Sequence, residues 1–223
     1  MNWRGTGTAT ERRSRRSAGM ILFIITETEE KYRCGRWTGK QLALEEAAGD
    51  FCLVAHYRQI TPAAIRRLRP WAICHSGAGT PYEHFDILRR AGYRAVAIHT
   101  PVAQLGICGG HQLLAQFFGS RVGPMRRLRT RDPDHAPDYH PGDFKEIGVY
   151  PVSILRRDPL FRGLGRTIRV REYHRSEVKQ LGPELVRLAA SADCRVQAFV
   201  HRTRPIYGVQ FHPEEASDRY PDG

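Results

Sequence analysis

Pro101-Val-Ala-Gln-Leu-Gly-Ile-Cys-Gly-Gly-His-Gln112 is the stretch whose reading decides the fold. An apolar run leads into Gly106, Ile107, Cys108, Gly109 and Gly110, and the helix-forming string His111-Gln-Leu-Leu-Ala-Gln-Phe-Phe118 follows. This reads as strand, sharp turn and helix, with a thiol at the turn. Small residues on both sides of Cys108 let the backbone take the strained geometry that pushes one side chain into the open, as in a nucleophile elbow. The helix N-terminus offers free N–H groups and a positive dipole end, and both favour thiolate over thiol. Cys108 is therefore a candidate nucleophile that needs a base.

The far end of the chain supplies one. Tyr207-Gly-Val-Gln-Phe-His-Pro-Glu214 reads as a short strand ending in His212, with Glu214 two residues on. A histidine takes a thiol proton, and a carboxylate fixes the tautomer and orientation of the ring. Residues two apart on an extended chain point the same way, so Glu214 is expected to reach back to the imidazole, with Pro213 stiffening the link. A lone cysteine is most often a small buried hydrophobe and a lone histidine most often structural. The elbow glycines and the His-Pro-Glu spacing together point to chemistry.

Gly106-Ile-Cys-Gly-Gly-His-Gln112 and Gly208-Val-Gln-Phe-His-Pro-Glu214 resemble the two signature motifs of class I, triad-type glutamine amidotransferases, in the right order and at the usual separation. The similarity runs from about Met20 to the end. It implies that Cys108 attacks the side-chain amide of glutamine, that a γ-glutamyl thioester forms as ammonia leaves, and that water then releases glutamate. It also implies an oxyanion hole. Trp71-Ala-Ile-Cys-His-Ser-Gly-Ala-Gly-Thr-Pro81 reads as a strand entering the Gly-rich loop that supplies one backbone N–H in the family. Gly77 is the matching position, with Gly79 close behind, although Ala78 departs from the family's usual Gly-Pro or Gly-Gly-Pro. The second donor is the N–H of Gly109; such donors aim at charge that appears only in the transition state. Gln112 matches the family's substrate-contacting glutamine. Arg171-Glu-Tyr-His-Arg-Ser-Glu-Val178 resembles the segment that holds the amino acid end of the substrate, which makes Tyr173, Arg175 and Ser176 the contacts. The resemblance implies no cofactor and no metal. No synthetase domain or ATP site follows, so the ammonia goes to a separate synthetase or acceptor subunit or is released. Two other functions stay open: a γ-glutamyl amide or peptide hydrolase with the same triad, and a non-catalytic regulatory relative, against which the intact Cys108, His212 and Glu214 set argues.

Composition sets the frame. With 223 residues, 41% hydrophobic and 26% charged, the chain suits one good core and not two large domains. No apolar run approaches a membrane span. The five cysteines, Cys34, Cys52, Cys74, Cys108 and Cys194, form no CxxC pair and suggest neither a disulfide framework nor zinc. A reducing cytoplasm suits a free catalytic thiol, so a cytoplasmic location is expected. The net charge of +12 gathers arginines in residues 1–19 and 121–131. No aromatic interleaving or nucleic-acid motif accompanies them, so solvated loops are favoured over a nucleic-acid patch. Residues 1–19 are expected to be a basic, disordered arm ahead of a glutaminase domain over 20–223, with Met20 an alternative start. The sequence ends at Gly223, nine residues after Glu214, where the family continues into a closing helix; a shortened form or a missing helix is expected.

The layout alternates strand and helix. Strands are expected at 20–26, 51–57, 71–75 and 102–107, and helices at 38–48, 61–68, 82–91 and 111–118, with 93–98 a short strand or connector. A long loop is expected over 123–142, then strands at 146–154, 167–173, 185–190, 196–200 and 206–211. The fold class is α/β, a doubly wound, flavodoxin-like mixed sheet, mostly parallel, with helices on both faces. Three decoys are set aside. Gly35-Arg-Trp-Thr-Gly-Lys-Gln41 has its glycines one residue too close for a phosphate loop and lacks the metal-binding hydroxyl. Ser76 lacks the preceding glycine of a serine elbow. His135, Asp138 and His140 lie in a Pro-rich loop and read as solvated polar residues.

Overall fold

The computed structural model describes residues 19–35 and 37–215. The expected basic arm, apart from Gly19, and the expectations for the chain after Glu215 lie outside the described residues. β1 (Ile21–Ile25) is an unbroken apolar run with all five side chains buried. Such a run suits a strand covered on both faces. Ile21, Phe23 and Ile25 pack on one side of the sheet and Leu22 and Ile24 on the other.

β1 lies parallel between β2 (Cys52–His56) and β3 (Ala72–His75), and β3 is parallel to β4 (Ala103–Ile107). The next neighbour of β4 comes from the far end of the chain: β11 (Ile206–Val209), also parallel. Beyond it, β10 (Ala198–His201), β9 (Leu185–Ala190), β6 (Glu146–Ile154) and β7 (Thr167–His174) continue the sheet antiparallel. The sheet order is β2-β1-β3-β4-β11-β10-β9-β6-β7, and β5 (Arg121–Pro124) pairs apart with β8 (Ser176–Gln180). Helices cover both faces. α1 (Glu29–Cys34) and α2 (Thr38–Ala48) pack through Tyr32, Leu44 and Ala48 on the side of Phe23. α3 (Pro62–Leu68), α4 (Ala91–His99) and α5 (Gly109–Phe117) pack on the side of Leu22. This is the doubly wound, flavodoxin-like α/β class that the alternation predicts. Among the described residues no helix is long and apolar enough to cross a membrane.

Local chemistry explains the agreements and the misses. Thr61 caps α3 by accepting from the Ala64 N–H, with Pro62 at the first helical position. The helix expected over 82–91 is instead two single 3-10 turns, Tyr82–His84 and Asp86–Arg89, interrupted by extended backbone at Phe85. Helix α4 follows and includes both Gly92 and the segment 93–98. Gly92 packs against Ile60 rather than ending a helix, because a side chain there would start 3.3 Å from the Ile60 carbonyl oxygen. Tyr93, Val96 and Ala97 bury the inner face of α4 at helical spacing. The sequence reading missed α1, β5 and β8, β5 taking the first two residues of the loop expected over 123–142, and the strand expected at 196–200 lies at Ala198–His201.

Candidate active site

Cys108 sits between β4 and α5 with φ 50° and ψ −106°, a left-handed conformation unusual for a residue with a side chain. Its surroundings hold it there. Its N–H donates to the Val209 carbonyl at 2.8 Å, and the Gly110 N–H donates to the Ser76 carbonyl at 2.9 Å. Gly110 must lack a side chain, since one would start 2.4 Å from the His75 carbonyl oxygen. The elbow thus tips the thiol out at the carboxyl edge of the sheet, beside the first turn of α5.

Register brings the second motif to the same edge. β11 runs parallel to β4 with Gly208 opposite Gly106 and Val209 opposite Ile107, so the segments leaving both strands emerge together. The strand expected to reach Phe211 ends at Val209, and Pro213–Glu215 is a 3-10 turn. Glu214 therefore reaches His212 through a tight turn and not through strand alternation. Its Oε1 lies 2.9 Å from His212 Nδ1. The His212 backbone N–H donates to the Arg171 carbonyl at 2.9 Å, which ties the turn to β7. His212 Nε2 is buried and has no hydrogen-bond partner among the described residues. Burial opposes charging of the imidazole, but the neighbouring Cys108 sulfur and then Glu214 outweigh it and push its pKa up to about 10. The surroundings thus favour a charged imidazole beside the Cys108 sulfur. Gln210 Nε2 points at Cys108 Sγ from 3.6 Å.

A pocket of about 230 Å³ opens above the thiol. Gly109, Gln112, Tyr173, Arg175 and Ser176 are among the residues that line it. Gly77 stands behind the nucleophile: a side chain there would start 3.4 Å from Cys108 Cβ and 3.3 Å from His212 Cε1. Ala78, Gly79, Thr80 and Pro81 of the loop line the pocket, and Ala78 packs on Gly109. Gln112 spends its Nε2 on the Ser176 carbonyl at 2.7 Å and on Gln210 Oε1 at 3.0 Å, so it fixes the start of β8. Tyr173 is half exposed, and its carbonyl lies 3.7 Å from Cys108 Sγ.

Sequence reading missed four contributors. Glu27, just after β1, accepts from the N–H groups of Thr28, Gly79 and Thr80 and so pins the Gly-rich loop. Burial pushes the carboxyl of Glu27 up, but these hydrogen bonds, those from Thr80 foremost, hold it below the usual range. Its place at the carboxyl end of a parallel strand was a usable signal. Tyr139, from the long loop, stacks on Tyr173 at 6.1 Å across the pocket. The buried Lys145 pins that loop by donating to the carbonyls of Tyr139 and His140 at 2.8 and 3.2 Å. Lys40 donates to Glu214 Oε1 at 2.7 Å. It belongs to the stretch set aside as a phosphate-loop decoy, and no local signal marked it, because its partner is 174 residues away.

Beside these four lies a sealed cluster. His174 Nε2 lies 2.9 Å from Glu146 and 3.2 Å from Glu172, and its Nδ1 lies 3.0 Å from the Ser176 carbonyl. Burial opposes protonation of His174, but Glu172 and Glu146 hold its pKa well above the ordinary value. Ser191 and Gln197 complete the shell of Glu146 at 3.0 Å each. Among the described residues, two groups stand close enough to share an ion: Glu146, His174 and Cys194, and His212, Glu214 and Glu215. His135, Asp138 and His140 form no such group.

Residues 72–221 match the family model described as glutamine amidotransferase class-I. The chain is 44% identical over 152 residues to a GMP synthase (glutamine-hydrolyzing) subunit of Pyrococcus abyssi, covering 68% of this chain and 70% of that one. It is 38% identical over 155 residues to the protein of the same description from Thermococcus kodakarensis, with the same coverage. A Thermoplasma acidophilum crystal structure, described as that of a GMP synthase subunit, superposes with a TM-score of 0.67 at 27% identity, over 89% of this chain and 86% of that one. A Thermotoga maritima glutamine amidotransferase shares the fold, with a TM-score of 0.63 at 19% identity over 90% and 78% of the two chains.

Proposed function

This chain belongs to the glutamine amidotransferase class-I family, and from that premise we propose that it is the glutamine-hydrolysing subunit of a GMP synthase, using Cys108, His212 and Glu214 to supply ammonia to a separate synthetase subunit. The observation that carries the reading is the meeting of a strained, pocket-facing thiol with a buried imidazole whose Nε2 is unspent and whose Nδ1 is fixed by a carboxylate. Glutamine enters with its side-chain carbonyl over the thiolate. Cys108 Sγ attacks the carbonyl carbon. The oxyanion is met by the Gly109 N–H and an N–H of the Gly77–Ala78 turn, where one such donor contributes about a 10²- to 10³-fold rate effect. The imidazolium gives its proton to the departing nitrogen, ammonia leaves and a γ-glutamyl thioester remains. Neutral His212 then takes a proton from water, whose oxygen attacks the thioester and frees glutamate and the thiolate. Tyr173, Arg175 and Ser176, which line the pocket, hold the amino acid end.

The relatives named as GMP synthase subunits support the choice of pathway. The test measures ammonia and glutamate from glutamine, with this chain by itself and with a GMP synthase synthetase subunit. Glutamine-dependent GMP formation that needs both chains supports the reading. Preference for γ-glutamyl amines or peptides over glutamine overturns it.

A further inference from the structure

The roles given to Cys108, His212 and Glu214 leave one contact of that group unused. Lys40 Nζ donates to Glu214 Oε1 at 2.7 Å and to Glu215 Oε1 at 3.0 Å. Glu214 Oε1 is also the atom that meets His212 Nδ1 at 2.9 Å, so one oxygen joins the ammonium to the imidazole. The Glu214 side chain is only 2% exposed, and its Oε2 is buried without a hydrogen-bond partner among the described residues. A carboxylate so placed ordinarily takes up a proton or swings toward water. Lys40 opposes both outcomes, and it is itself held. It lies on α2, where Gln41 donates to the Cys52 carbonyl of β2 at 2.9 Å and Gly49 closes the helix in the left-handed conformation.

We infer that Lys40 is a positioning residue for glutamine hydrolysis: its ammonium anchors the Glu214 carboxylate on the imidazole. The inference rests on the reading of Cys108, His212 and Glu214 as the reacting set. Burial pushes Glu214 up, and His212 and then Lys40 hold it below the usual carboxylate range. The other groups around it do not replace the ammonium. Glu215 shares Lys40 and pairs with Arg171 at 3.7 Å, Cys74 is a buried thiol that feels the Glu214 charge, and Glu172 and Cys108 face His212. Without Lys40, Glu214 takes up its proton at higher pH, and neutral Glu214 no longer steadies the imidazolium.

The experiment compares Lys40→Met and Lys40→Arg with the parent, each as the full chain checked for an unchanged melting transition. In the methionine variant kcat for glutamine falls about 10- to 100-fold, as for other residues that orient a reacting group, while KM stays within about 2-fold. The acid limb of the kcat profile moves up by about 1 pH unit or more. Arginine restores both. A second readout needs no turnover: the downfield Nδ1 proton resonance of ¹⁵N-labelled His212 survives acidification further in the parent and the arginine variant than in the methionine variant. Lys40→Gln, a donor without charge, gives the same readouts should the methionine variant not fold. A kcat within about 2-fold of the parent, or a loss that arginine leaves in place, overturns the proposal. A parent that keeps the resonance pattern but does not hydrolyse glutamine sinks the functional reading and leaves standing only the anchoring of Glu214 by Lys40.

Discussion

Among the described residues, two sets of cysteine, histidine and glutamate come together, and they differ in what surrounds them. Cys108, His212 and Glu214 meet at the carboxyl edge of β4 and β11, under an open pocket. Cys194, His174 and Glu146 meet inside the antiparallel half, with Cys194 fully buried. Both imidazoles have raised pKa values, His174 through Glu172 and Glu146, and His212 through the Cys108 sulfur and then Glu214. The difference lies in what each leaves unspent. His174 has both nitrogens engaged, whereas His212 keeps Nε2 free toward a thiol on a strained elbow at a helix start. Cys194 has no such helix, and burial pushes its thiol well above the ordinary range, with the charges of Glu146 and Glu177 adding to it. Residue types alone do not make a nucleophile; access, strain and an uncommitted base do.

The sharpest way to break this comparison is to exchange the roles of the two cysteines. Cys108→Ala is expected to lower glutamine turnover by about 10⁴-fold or more, as for loss of a nucleophile elsewhere. Cys194→Ala is expected to keep kcat within about 2-fold. Ammonia release from both variants checks this, and the reverse pattern would end the assignment. Glu214→Gln comes next. His212 remains a base but loses its orienting carboxylate, so kcat falls about 10²- to 10⁴-fold with KM little changed.

The sealed cluster responds in stability. Glu146→Ala leaves His174 short of one buried partner and is expected to cost about 3–5 kcal/mol, read by chemical denaturation. A loss of activity without that loss of stability would show that the cluster acts on the pocket directly.

The charge state of His212 sharpens the comparison further. A folded pKa pushed up to about 10, against an ordinary 6.5, means the folded chain keeps a proton that the unfolded chain releases above 6.5. Its contribution to stability is complete below 6.5 and is lost as pH rises through about 10. Since the Cys108 sulfur is the foremost group raising that pKa, the NMR titration midpoint of His212 should fall in Cys108→Ala; an unmoved midpoint would refute this influence of the sulfur. The smallest effect is expected from Tyr139→Ala. Losing the ring stacked on Tyr173 should raise KM for glutamine about 3- to 10-fold with kcat nearly constant.

Much of this site is legible without any fold in hand. The elbow at Cys108, the His212–Glu214 pair and the parallel α/β order follow from short-range rules: glycine spacing, apolar runs and helix caps. The misplaced helix at 82–91 shows where such rules fail, because Gly92 reads as a stop signal although tertiary packing against Ile60 sets its identity. The expectation that Glu214 meets His212 rests on extended chain, yet a 3-10 turn brings the carboxylate round.

The sequence by itself determined which atoms could react and in what kind of sheet, because both are written in contiguous stretches. Tertiary structure alone decided that Lys40 meets Glu214, that Glu27 pins the Gly-rich loop, that Tyr139 crosses the pocket and that Cys194 is shut away. Each of these depends on contacts between segments far apart in the chain, and the sheet register that creates them is fixed by burial summed over the whole core rather than by any local run of residues.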